Sequence, residues 1–241
     1  MIDPKFFYDD LIKEGVDFFS GVPDSLLKEF CKYIELKSNK SSHVISANEG
    51  SAIAIASGYH LATGKIPLVY LQNSGIGNII NPLVSLADKE VYSIPLILLI
   101  GWRGEPGIKD EPQHIKQGRI TPNLLDSIEI PFKIIDSNSE DSKNYINWAV
   151  STTKSKSSPV AILVKKNSFK KIEIKSSSEI LSDSFLSREK VISIVAKQIS
   201  KNNKIVSTTG MISRELYEQR DFLNQKHSSD FLTVGSMGHA S

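Results

Sequence analysis

Apolar residues fall along the chain in two alternating rhythms. Short runs without a polar face, at 67–71, 94–100 and 160–164, read as buried strands, and 132–135 reads as a further strand. Between them lie stretches with helical spacing. Asp3 and Pro4 set a cap and a first-turn proline before Phe6, Phe7, Leu11 and Ile12, and Gly15 closes that helix. A strand over 16–20 then runs through a turn at 21–25 into a helix over 26–36. The strand-like pair Val44 and Ile45 leads to a segment of Ala, Ile, Ser and Gly through Tyr59, which predicts a closely packed helix with no solvated face. Further helices are expected through 81–86, at about 121–127 and through 145–150. Strands alternating with helices indicate a doubly wound α/β domain whose parallel sheet is covered on both sides.

That first domain is expected to span 1–165. Residues 166–186, rich in Lys, Ser and Glu, read as a linker. A second α/β pattern occupies 187–241, with a helix over 188–199, a strand over 204–208, a helix through Glu215, Leu216 and Tyr217, and a strand over 231–234. Two or three strands do not bury a parallel sheet, so this second domain is expected to be incomplete, the chain being a fragment, a truncated form or one part of a larger assembly.

Composition narrows the classes. The 241 residues carry a net charge of +2 with no basic block, which argues against nucleic acid. Cys31 stands alone, so neither a disulfide framework nor a thiolate metal site is available. The apolar run 94–100 is too short to span a bilayer, and the N-terminus does not resemble a signal peptide. A cytoplasmic protein without membrane partners is the expectation.

Candidate chemistry gathers where strands end. Glu49 stands at the start of the Ala- and Ile-rich helix. Ser46-x-x-Glu49 fits a capping box, and an equally good reading aims the carboxylate at a ligand. Asp24 or Ser25 is either a helix cap or part of a ligand-binding loop at a strand end. The loop 72–77 brings Asn73, Ser74 and Gly75 after a strand. Its Gly75-x-Gly77 is not a dinucleotide fingerprint, because Ile80 stands where the third glycine belongs. The irregular stretch 101–119 mixes Arg103, Lys109, His114, Lys116, Gln117 and Arg119 with Glu105, Asp110 and Glu111. It is either a charge-balanced surface loop or a mobile cover presenting cations to an anionic substrate. Thr209 and Gly210 open a helix in a manner suited to phosphate.

Taken in order, these blocks resemble a family. They are Gly21-Val-Pro-Asp-Ser-Leu-Leu-Lys28, Asn48-Glu-Gly50, Gln72-Asn-Ser-Gly-Ile-Gly-Asn78, Trp102-Arg-Gly-Glu-Pro-Gly107, Asp110-Glu-Pro-Gln-His114, Gln117-Gly-Arg-Ile-Thr121, Thr208-Thr-Gly210 and Gly235-Ser-Met-Gly-His239. The chain is similar end to end to thiamine-diphosphate-dependent 2-oxo acid decarboxylases, in particular those acting on phosphonopyruvate. The resemblance implies a pyrimidine-binding domain over 1–165 and the beginning of a diphosphate-binding domain at 187–241. It implies thiamine diphosphate and Mg2+ as cofactors, and a homo-oligomer with active sites between subunits. The substrate would be a small anionic 2-oxo acid.

By the same resemblance Glu49 hydrogen-bonds the aminopyrimidine, Met237 props the cofactor in its bent form, and Asn73, Ser74, Gly75, Thr209, Gly210 and Ser236 lie along the cofactor. Asp24, Ser25, Arg103, Lys109, His114 and Gln117 are candidates for holding substrate, with His114 also a candidate proton donor and His239 a weaker one. The family's Gly-Asp-Gly magnesium loop has no counterpart up to Ser241, so no metal ligand is assigned within the chain. Two other readings stand beside this one, a sulfopyruvate decarboxylase and a non-catalytic α/β binding or regulatory subunit. A nicotinamide-binding oxidoreductase is disfavoured for want of the three-glycine fingerprint.

Overall fold

Three of the apolar runs become the middle of one sheet because only a doubly covered strand tolerates apolar residues on both sides. They are β3 (Leu68–Gln72), β4 (Ile97–Gly101) and β6 (Val160–Val164), and every residue in them is buried. With β1 (Phe19–Gly21), β2 (His43–Ile45) and β5 (Phe132–Ile135) they form a six-stranded, all-parallel sheet in the order β2-β1-β3-β4-β6-β5. The computed structural model describes residues 1–173, 185–200, 203–208 and 210–232. The chain divides into two compact units, Met1–Glu173 and Ile174–Ser241.

Side chains alternate across the sheet and build two cores. Leu68, Tyr70, Ile97 and Leu99 face α1 (Pro4–Lys13), α2 (Lys28–Lys37) and α6 (Ser142–Lys156), where Phe7, Phe30, Ile34 and Ile146 close the layer. Val69, Leu71, Leu98 and Ile100 face the opposite way, towards α3 (Glu49–Thr63), α4 (Ile76–Pro82) and α5 (Pro112–Ser127). This is the doubly wound α/β architecture that the alternating pattern implies. Strand order reverses between β1 and β3, and the loops after β1, β2, β3 and β4 all emerge at the same carboxyl edge.

Three expectations change. α3 is not buried all round, because Ala54, Ile55, Gly58, Leu61 and Ala62 lie exposed on its outer face while Ala52, Ile53 and Ala56 fill the core. α5 begins at Pro112, nine residues before the expected start at 121, so the last eight residues of the supposed loop 101–119 are helix. The residues that hid it are Gly118 and Pro122, normally helix breakers. Each has a specific accommodation. Pro122 has no N–H for the Gly118 carbonyl, and the Trp102 indole N–H donates to that carbonyl at 2.8 Å instead. A Cβ on Gly118 would lie 1.8 Å from the Gly104 carbonyl oxygen, so only glycine lets the β4 loop pack against the helix.

The third change is the boundary at 166. Phe169 is in the core, Ile2 donates to the Ser168 carbonyl at 2.8 Å, and Lys170 donates to the Ile2 carbonyl at 2.9 Å. Residues 166–173 therefore belong to the first unit, and 174–184 lie outside the described residues. In the second unit, α7 (Arg188–Gln198) and α8 (Met211–Phe222) accompany a parallel pair, β7 (Ile205–Ser207) and β8 (Asp230–Leu232). Buried Arg220 reaches Asp230 with two hydrogen bonds of 2.9 and 2.7 Å. Among the described residues no helix is long and apolar enough to cross a membrane.

Candidate functional site

Glu49 is the first residue of α3 and is buried. The capping box is not made. Asn48 is the cap, accepting from the Ser51 amide at 2.9 Å, while Ser46 pairs with Ser20 through hydroxyls 2.9 Å apart. The carboxylate is thereby free of the backbone. Its Oε2 accepts from Asn78 Nδ2 at 2.7 Å, and its other side lies against Gly75, where a Cβ would fall 2.4 Å from the Glu49 carboxyl carbon. Glycine at 75 is the condition for the carboxylate to stand where it does. Asn78 reaches Glu49 because α3 and α4 meet closely there. A Cβ on Gly50 would lie 2.9 Å from the Asn78 carbonyl oxygen. Pro82, four residues beyond Asn78, supplies no N–H to that carbonyl, and the helix widens into a π-type turn over Leu83–Ala87.

The loop after β1 carries Asp24, which accepts from the Leu26 and Leu27 amides at 2.8 and 3.2 Å through Oδ2. These bonds hold the turn after β1, but neither Asp24 nor Ser25 caps α2, whose N-cap is Leu27 with no side-chain cap hydrogen bond. The other Asp24 oxygen, Oδ1, is buried with no hydrogen-bond partner. Burial raises the Asp24 pKa against the pull of those amides and of Arg103. Asp24 and Ser25 also line a cleft of about 380 Å³ with Lys28, Cys31, His43 and Tyr70. Within it His43 Nε2 pairs with the Tyr70 hydroxyl at 2.8 Å, and burial pushes the Cys31 thiol up to about 12.

Arg103, after β4, ties three loops together. Its Nη1 donates to Ser25 Oγ at 3.0 Å, its backbone N–H donates to Asn73 Oδ1 at 3.0 Å, and its guanidinium grips Asp110 through Nε at 2.8 Å and through Nη2. Asn73 Nδ2 completes the bracket by donating to the Arg103 carbonyl at 2.9 Å and to Thr121 Oγ1 at 3.0 Å. Asn73 thus spends its side-chain hydrogen bonds on holding the loops together. Ser74 Oγ accepts from Gln72 Nε2 at 2.6 Å. The Arg103 hydrogen bonds hold Asp110 far below the usual carboxylate range, and Asp110 in turn raises the Arg103 pKa.

His114 and Gln117 lie one turn apart on α5, near enough for their side chains to interact, and no other partner reaches the buried His114 Nδ1 or Gln117 Oε1. Gln117 is near enough to favour the charged ring. Burial and the Arg103 charge outweigh it, so the His114 pKa is lowered. Lys109 is exposed. Gly210 precedes α8 with φ +84, whereas Thr209, Ser236, Met237 and His239 lie outside the described residues. Among the described residues no group of three His, Cys, Asp or Glu side chains could hold a metal ion.

Two residues of this edge had no role in the sequence reading, Asn78 and Asp110. Asp110 was signalled only by charge opposite Arg103 in one loop. Asn78 follows Glu49 by 29 positions and carries no local sign of the pairing.

Residues 5–128 match the model described as "Thiamine pyrophosphate enzyme, N-terminal TPP binding domain". The chain is 28% identical over 239 residues to the phosphonopyruvate decarboxylase of Streptomyces viridochromogenes, covering 94% of this chain and 58% of that protein. It is 37% identical over 158 residues to the sulfopyruvate decarboxylase subunit alpha of Methanocaldococcus jannaschii, covering 65% of this chain and 89% of that subunit. In fold it is similar to a thiamine diphosphate-dependent 4-hydroxybenzoylformate decarboxylase of Rhodococcus jostii RHA1, with a TM-score of 0.53, 20% identity, and coverage of 88% of this chain and 40% of that one. The chain thus spans little more than half the length of the phosphonopyruvate decarboxylase it matches.

Proposed function

We propose, for a chain that belongs to the thiamine pyrophosphate enzyme family, that it serves the decarboxylation of 3-phosphonopyruvate to phosphonoacetaldehyde and carbon dioxide. The observation that carries this reading is a coincidence of unmet hydrogen bonds. Among the described residues six buried side-chain atoms lack a partner; Asp24 Oδ1 is one, and His114 Nδ1 and Gln117 Oε1, which have at most each other, are two more, all on residues that the sequence marks for substrate. Buried polar atoms are nearly always satisfied, so orphans on one set of residues argue for a ligand that completes them.

The residues fit the cofactor. Glu49 is a buried carboxylate fixed on one oxygen by Asn78 and backed by bare glycine, which suits a hydrogen bond to an aminopyrimidine ring nitrogen. When bound, thiamine diphosphate supplies the nucleophilic carbon and the electron sink for the departing carbon dioxide. The chain supplies position and protons. Arg103, anchored by Asp110 and Ser25, places a fixed positive charge at the strand ends for an anionic group of the substrate. Gln117 Oε1 is an acceptor available to a donor on the bound ligand. His114, kept neutral near pH 7, offers Nδ1 for proton exchange at the product stage. Asp24 binds a proton more readily than an ordinary carboxyl and stands as a second proton holder.

Mg2+ accompanies the diphosphate in this reading, at ligands other than the described residues. A second copy of the chain completes the assembly, in the cytoplasm. Sulfopyruvate is the alternative substrate, favoured by the 37% identity to a sulfopyruvate decarboxylase subunit.

The test is Glu49→Gln in the full-length protein. Carbon dioxide release from phosphonopyruvate should fall by about a hundredfold or more with the circular dichroism spectrum unchanged. Full activity would reduce Glu49 to a structural carboxylate. Turnover of sulfopyruvate and not phosphonopyruvate would move the substrate assignment. Thiamine diphosphate with Mg2+ leaving the melting temperature unmoved would favour a non-catalytic subunit.

A further inference from the structure

The Glu49 carboxylate has two oxygens with different surroundings. Oε2 is 2.7 Å from the Asn78 amide nitrogen, which donates to it. Oε1 faces Gly75, where a Cβ would come within 2.4 Å. A carboxylate at the end of a flexible side chain turns freely unless something fixes it, and an ordinary helix start would fix it to the backbone. Here Asn48 does the capping and Ser46 is engaged with Ser20, so the backbone makes no claim on Glu49. Asn78 is brought in by two further features, the absence of a side chain on Gly50 beside the Asn78 carbonyl, and Pro82, which loosens α4 at that carbonyl. A neutral donor of this kind orients a carboxylate without neutralising it.

From this arrangement we infer that Asn78 is a positioning residue for Glu49. It commits Oε2 and thereby presents Oε1, in one orientation, to the pyrimidine of thiamine diphosphate. The inference rests on the proposed cofactor role of Glu49 and adds to it a residue that touches Glu49 rather than the cofactor.

A double-mutant cycle on the full-length protein tests it, with thiamine diphosphate dissociation constants read by calorimetry in the presence of Mg2+. Asn78→Ala is expected to weaken binding about tenfold, the value of a hydrogen bond to a charged group. Asn78→Asp keeps the shape, removes the donor and sets a second carboxylate against Glu49, so it should weaken binding more than Ala does. In a Glu49→Ala background, Asn78→Ala should change the dissociation constant less than about twofold, because the acceptor of its hydrogen bond is already gone. Melting temperatures of the cofactor-free variants separate a folding defect from a positioning one, and the isosteric Asp variant keeps the test open if Ala folds poorly. Equal effects of Asn78→Ala in both backgrounds, or none in either, overturn the inference while leaving Glu49 in its role. A wild-type protein that binds no thiamine diphosphate overturns the cofactor reading itself.

Discussion

At the scale of single residues, the edge of the sheet is held by groups whose partners lie far away in sequence. Glu49 was recognisable, because a carboxylate ahead of an Ala- and Ile-rich helix is unusual. Its local alternatives were balanced, and Asn78 with Gly75 decided between them through contacts 29 and 26 positions away. Arg103 was equally visible as a cation, but not as one half of a grip on Asp110. That pair has a pH signature. The Asp110 carboxyl titrates far below its unfolded range, chiefly through its hydrogen bonds from Arg103. A depressed folded pKa gives stabilisation that is complete above the unfolded value of about 4 and lost as pH falls through the lower folded value. The Gly104 amide donates to Asp110 at 2.8 Å, so its hydrogen exchange should stay slow at pH 4 in wild type. Asp110→Asn should speed it at every pH. Fast exchange in wild type at pH 5 would show that the grip does not hold the loop.

At the scale of elements, α5 shows how a helix escapes detection. The stretch from Pro112 carries a favourable first-turn proline, yet Gly118 and Pro122 break its propensity and the charges disguise its periodicity. Only the tertiary partners explain why it persists. The Trp102 indole replaces the hydrogen bond Pro122 cannot give, and Gly104 fills the space a Gly118 side chain would take. Recognising the helix changes the chemistry, since it sets His114 and Gln117 one turn apart. Trp102→Phe keeps the ring but leaves the buried Gly118 carbonyl without its donor. It should cost about 1–3 kcal/mol in denaturant unfolding. Adding Pro122→Ala returns an N–H to that carbonyl and should make the tryptophan change cheaper. Equal cost in both backgrounds would mean that the indole contributes packing alone.

At the scale of the whole molecule, the α/β class was legible because buried parallel strands are written as continuous apolar runs, as in β4 and β6. Lateral order was not, because nothing in a strand's own residues names its neighbour. That the first compact unit runs on past 165 to Glu173 was hidden for a related reason: Phe169 and Ile172 are sparse among polar residues, and their value lies in what they touch. Phe169 packs on Phe7 and Phe30, and the Ile172 amide donates to Glu29 at 3.1 Å. A segment cut after 165 should therefore be less stable than one cut after 173, by about 3–5 kcal/mol for the lost phenylalanine. Identical urea midpoints would restore the earlier boundary. Sheet order also has a consequence during synthesis. Residues of β5 leave the ribosome before those of β6, yet β6 lies between β5 and β4. Until position 160 has emerged, β4 carries an open, wholly apolar edge and β5 has no neighbour to join. A growing chain paused in that interval offers a template for chaperones or for other chains, and the arrival of Val160–Val164 closes it.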